Sequence, residues 1–175
     1  MQVLAKSTGK RIMGRLPKGS DLLEALTGIC QEQGIHLGGV RAIGAVSRAR
    51  IGYYDQAARV YNFLELKQDL EILALMGNVS LKDGKPFVHA HLTLGDAQGR
   101  AFGGHLAEGC EVFACEFELT EYLADEPLAR GWDEPTGLML WTKGSQYARG
   151  VGDDHQARDP SGPGGHSRDN PGGLL

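Results

Sequence analysis

The chain has 175 residues, 41% hydrophobic and 23% charged, enough for one domain with its own core and unlike a disordered or fibrous composition. Its net charge of −4 supplies no overall basic field to draw it to nucleic acid or anionic lipid, although a local basic patch is not removed by that sum. No apolar run approaches the ~20 residues that cross a bilayer, and the N-terminal MQVLAKSTGK has no apolar stretch of signal-peptide length, so a cytoplasmic protein is expected.

In chain order, RIMGRL reads as a strand. SDLLEALTGICQEQG, residues 20–34, reads as a helix. Asp21 and Glu24 have capping-box spacing, and Leu22, Leu23, Leu26, Ile29 and Cys30 form an apolar stripe at helical period. Gly34 suits a left-handed stop. GGVRAIGAVSRARIGYYD, RVYNFLEL and DLEILALMGNVSL follow as strands, the glycines suggesting bends or bulges. Asp83-Gly84 is a two-residue hairpin signal. PFVHAHLTLG, RAFGGHL, CEVFACEFELTEYL and GLMLWT complete the set. Many strands with one helix predict an α+β domain on antiparallel sheet over residues 1–143. Residues 144–175 are rich in Gly, Pro, Asp and Arg, and are expected to be a disordered tail holding His155 and His166. Neither a phosphate loop nor a dinucleotide fingerprint is present. Cys30, Cys110 and Cys115 are too few and too scattered for a disulfide framework. On one regular strand Cys110 and Cys115 would face opposite ways, so they are expected to be small buried hydrophobes and not a chelating pair.

Three of the six histidines lie within FVHAHLTLGDAQGRAFGGHL, residues 87–106. His89 and His91 are two apart on a predicted strand, so they share a face about 6.5–7 Å apart. A three-residue Ala97-Gln98-Gly99 turn with Gly99 left-handed sets Asp96 opposite Arg100, Leu94 opposite Phe102, Leu92 opposite Gly104 and His91 opposite His105. A two-residue turn would instead set Leu106 opposite His89. The apolar pattern therefore selects the first register without reference to the histidines. Gly103 and Gly104 would leave space beside the imidazoles, or hold a bulge. In the same scheme Asp83-Gly84 pairs Asn78 with His89, and the histidine face also carries Met76, Ala74 and Ile72. That face is partly apolar, which suggests a second subunit as its cover.

Three neutral imidazoles on one rigid patch can bind zinc or a similar divalent ion and leave a coordination position open for water or substrate. The plainer alternative is that isolated sheet histidines hydrogen-bond or line an interface. Glu71 and Glu108 are the nearest carboxylates by sequence that could act as a base, and neither is placed by the register.

The H-x-H, short Gly-containing turn and GGHL resemble the plant and prokaryote conserved (PPC or PCC) domain, whose prokaryotic members are often described as DNA-binding proteins with a PD1-like motif. LPKGSDLLEAL, GGVRAIGAV and DLEILALMGNVSL fall in matching order, and the likeness covers roughly residues 5–143. The resemblance implies an α+β fold assembled as a homotrimer, with His89, His91 and His105 as ligands of one divalent metal ion, expected to be zinc. It supplies no biochemical activity. An Arg-Gly-Arg-Pro AT-hook core is missing, and the densest basic group, Arg41, Arg48 and Arg50, alternates as a solvated strand face would. Three functions remain open: a metal-binding domain acting on a small-molecule ligand, a DNA-binding regulator, and a trimeric interaction module without chemistry.

Overall fold

The computed structural model describes residues 7–125 and 128–142; the expected tail from 144 onward lies outside them. Among the described residues one helix and nine strands are formed: β1 (Ser7–Leu16), α1 (Leu22–Gln33), β2 (Gly38–Asp55), β3 (Val60–Leu66), β4 (Leu70–Lys82), β5 (Lys85–Gly95), β6 (Ala101–Leu106), β7 (Glu111–Leu123), β8 (Ala129–Asp133) and β9 (Leu138–Thr142). The domain is dominated by sheet, and the single helix is the α component of the expected α+β class.

The helix forms where its caps dictate. Asp21 is extended, and its Oδ1 accepts from the amides of Leu23 (3.0 Å) and Glu24 (3.1 Å). Its Oδ2 accepts from the Gly109 amide at 2.7 Å, tying the helix start to the loop before β7. Gly34 ends the helix in the left-handed region, at φ 66°. Leu22, Leu26 and Cys30 are fully buried, while Leu23 and Ile29 are partly buried against the same core.

The strands run in the order β1-β7-β2-β6-β5-β4-β8-β9, and β3 pairs with β2. Long β2 pairs with β7 and β4 through its first half and with β3 and β6 through its second. Four strands thereby close on themselves: β2 pairs with β4, β4 with β5, β5 with β6, and β6 returns to β2. The inner faces of these strands and the helix share one core that includes Val40, Leu75, Val79, Val88, Leu92, Leu94 and Leu106. The opposite face of β4 and β5 points away from that core.

Two bulges change which residues reach the core. Between Ile72 and Ala74 the β4–β5 register shifts by one residue. Ile72, expected beside the histidines, is turned into the core at 3% exposure, and Leu73 points outward in its place. In β7, Ala114 pairs with Ala45 and Val112 with Val46, leaving Phe113 as the extra residue. Cys110 and Cys115 therefore both face the core, which corrects the opposite-face expectation from regular alternation; all three cysteines are free and buried.

Replacing Asp21 with Ala removes two cap bonds and the Gly109 tie. The expected cost is about 1–3 kcal/mol, seen as a fall in Tm of roughly 2–10 °C. Asp21→Asn, which keeps a capping oxygen, should lose less, and equal Tm values for wild type and Asp21→Ala in a thermal melt would refute the role.

Candidate metal centre

The turn between β5 and β6 is built by Asp96. Its Oδ1 accepts from the amides of Gln98 and Arg100, both at 2.9 Å, and its Oδ2 pairs with Arg100 Nε at 2.7 Å. The Gly99 amide donates to Asp96 O at 3.0 Å, with Gly99 at φ 74°. These bonds outweigh the effect of desolvation and hold the Asp96 carboxyl below the usual carboxylate range. Outward from this turn the ladder pairs Gly95 with Ala101, Leu94 with Phe102, Leu92 with Gly104 and His91 with His105, with no bulge at the double glycine. Gly104 leaves no extra room beside the imidazoles. A Cβ there would sit 2.8 Å from Gly52 O, so the glycine permits β6 to approach β2.

His89, His91 and His105 converge on the outward face. Each offers a nitrogen within 4.8 Å of those offered by the other two. Ring centroids are 5.4 Å apart for His89–His91, 5.0 Å for His89–His105 and 5.6 Å for His91–His105. His91 is exposed and the other two are half-buried. Burial, then the charges of His105, Arg130 and His91, lower His89 to about 4. Burial, then His91 and Arg130, lower His105 to about 4 as well. Both rings are therefore neutral at pH 7, the form that coordinates a metal.

The donor set fits a divalent ion. Nitrogens held at about 2.0–2.1 Å by one tetrahedral zinc lie roughly 3.4 Å apart, a separation that modest imidazole rotation reaches from the spacing here. His105 Nδ1 is buried without a hydrogen-bond partner among the described residues. An orphan of that kind is uncommon in a folded core, and coordination would be one way to satisfy it.

Neither carboxylate singled out from the sequence joins the cluster. Glu71 pairs with Gly95, five positions along β4 from Met76, the residue opposite His91. Glu108 lines a recess of about 300 Å³ between helix α1 and β5, with Leu23, Thr27 and Val88. Arg41 bonds Glu118, which also pairs with Arg11. Arg48 pairs with Glu111 at 3.4 Å, and Arg50 lies 3.6 Å from the Phe63 ring centroid.

Two flanking residues were not legible as part of this site. Arg130, from β8, is 5% exposed and bonds Asn78, the cross-strand neighbour of His89. Tyr61, from β3, puts its ring centroid 5.1 Å from that of His105. Only the second strand of the β8–β9 hairpin, GLMLWT, was expected from the sequence; β8, ARGWD, has no apolar run, and Pro135 and Gly137 mark the turn between them. Tyr61 reaches His105 only through the pairing of distant β2 with β6, which no local pattern encodes.

Among the described residues, fold and site together define a one-helix domain on a sheet that is antiparallel except where β8 joins β4, with a three-histidine cluster on its outward sheet face. The chain belongs to the Plants and Prokaryotes Conserved (PCC) domain family, whose model matches residues 4–123. A solved metal-containing protein from Archaeoglobus fulgidus is 46% identical with a TM-score of 0.77, covering 82% of this chain and all of that one. A plant- and prokaryote-conserved (PPC) protein from Pyrococcus horikoshii is 40% identical with a TM-score of 0.74, over 78% of this chain and 94% of the other. A "putative DNA binding protein" from Bacteroides thetaiotaomicron is 25% identical with a TM-score of 0.71, over 79% and 95% of the two chains. The bifunctional protein GlmU of Synechococcus sp. (strain JA-3-3Ab) is 38% identical over 127 residues, 71% of this chain, which spans only about a fifth (19%) of that relative's length.

The lowered imidazoles make the metal-free protein acid-sensitive. The unfolded chain takes up protons on His89 and His105 near 6.5, and the folded chain only at about 4. Their contribution is therefore fully present above about pH 6.5 and is lost as pH falls from there through 4. Chelator-treated wild type should lose more stability between pH 7.5 and 4.5 in denaturant titrations than His105→Asn does; equal slopes would contradict the burial of these rings.

Proposed function

We propose that this is a divalent-metal-binding domain in which His89, His91 and His105 hold one ion, zinc by donor type, with a fourth position left open for a small-molecule ligand. The observation that carries the reading is the meeting of three imidazole nitrogens within 4.8 Å on paired strands. Three histidine ligands and an open position are the arrangement of zinc sites that retain a water. When bound, such an ion polarises a carbonyl or phosphoryl oxygen, or brings a bound water's pKa near 7. The description of the Archaeoglobus relative as metal-containing is in keeping with it. Three free, buried thiols suit a reducing compartment such as the cytoplasm. Among the described residues no helix is long and apolar enough to cross a membrane.

DNA binding, the description given to the Bacteroides relative, is the weaker reading for this chain. The net charge is −4, and Arg11, Arg41 and Arg48 are each engaged by a glutamate. Assembly of the chain with copies of itself is supported by the outward sheet face, and a homotrimer is the number that the family resemblance implies. That face presents Met76 at 73% exposure together with Ile43 and Leu73.

Elemental analysis of native protein should find about one zinc-type ion per chain, and His105→Ala should lose it while keeping wild-type circular dichroism. Unchanged metal content in His105→Ala would overturn the site. Light scattering at micromolar concentration should give three times the chain mass, and a monomer there would remove the interface.

A further inference from the structure

The histidine cluster is bordered by two hairpins, β8–β9 and β2–β3. On one flank, Arg130 donates from Nε to Ser80 Oγ (2.9 Å), from Nη1 to Met139 O (3.0 Å) and from Nη2 to Asn78 Oδ1 (2.7 Å). Its guanidinium lies 5.3 Å from the Phe87 ring centroid and 5.9 Å from that of Trp141. On the other flank, Tyr61 leans on His105, while Tyr54 Oη donates to Thr136 O at 2.9 Å and joins the β2–β3 hairpin to the β8–β9 turn.

The Arg130 contact fixes the sense of the Asn78 amide. A guanidinium has donors and no acceptor, so the Asn78 atom that meets it must be the carbonyl oxygen. The amide nitrogen, with two N–H donors, is left on the other side. It has no protein partner among the described residues, and it is not one of the buried unpartnered atoms. Asn78 stands directly across from His89, where facing side chains on antiparallel strands start from Cβ atoms about 4.5–5.5 Å apart. The cluster holds no carboxylate among the described residues. A metal ion and an amide N–H2 across from His89 would together make a site suited to an acceptor-rich, negatively charged group.

We infer that the open position takes an oxyanion, a carboxylate or phosphoryl group, with Asn78 as its protein contact and Arg130 as the positioning residue that aims the Asn78 amide. The inference rests on the metal-site reading above and names the ligand class for it.

Asn78→Asp tests this sharply. The substitution is nearly isosteric, keeps an oxygen for Arg130 and should fold, but it replaces two donors with a negative charge facing the ligand. Metal-loaded protein, desalted of free ion, is titrated calorimetrically with inorganic phosphate and, in a separate arm, with malonate. The arm with the tighter binding identifies the phosphoryl or the carboxylate source. Wild type should bind one of them, and metal-free wild type should bind neither. Asn78→Asp should retain its metal and lose affinity by about tenfold or more. Arg130→Lys, a cation without the planar fork, should retain metal and fall between the two.

Equal anion affinity in Asn78→Asp and wild type overturns the inference. So does metal-loaded wild type that binds neither anion, although that result leaves the metal site standing. Wild type that takes up no metal overturns both.

Discussion

Everything specific about this molecule depends on one turn. Asp96 bonds two amides and one guanidinium within a five-residue loop and sets the β5–β6 ladder in a single register. A slip of one residue would turn every β6 side chain to the other face. His105 would point into the core, and Leu106, fully buried at 1% exposure, would face out. The same register thus serves stability and chemistry. The apolar residues enforce it, and the histidines use the side left over.

That division explains where the polar chemistry sits. The core is apolar and continuous from the helix to β5, and the three thiols within it are pushed up by burial and stay uncharged. Outside, the imidazoles stand on strands whose backbones are paired on both sides, which limits how far each ring can wander. Their partial burial comes from one another, from Tyr61 and from the hairpin carrying Arg130. Desolvation and neighbouring positive charge then act in the same direction and keep His89 and His105 uncharged. Mutual crowding thus favours the neutral form of these two rings, with no carboxylate in the cluster among the described residues.

The helix with its caps, the antiparallel class, both tight turns and the His91–His105 pairing were legible from sequence, because each depends on spacings of a few residues. The bulges were not. Leu73 and Phe113 look like ordinary members of alternating strands. Only the demand that Ile72, Val112 and Cys115 all reach one core forces the extra residue out. Arg130 and Tyr61 escaped for a related reason. Their place beside the histidines follows from pairings between strands distant in the chain. The partly apolar outward face was anticipated through Met76, but Leu73 and Ile43 supply what Ile72 was expected to add.

The circuit of β2, β4, β5 and β6 has a further consequence. Strands at the margin of a sheet fray first, while those hydrogen-bonded on both sides open only with the whole domain. The rung pairing His91 with His105 lies within that circuit, and His89, two residues along β5, is paired with Asn78 of β4, while β1, β3 and β9 are at the margins. The three-histidine cluster should therefore stay assembled without an ion. Where a zinc finger must order its chain as the ion arrives, this domain would have met that entropic cost during folding, and the binding energy of the proposed ion would go to affinity and residence time.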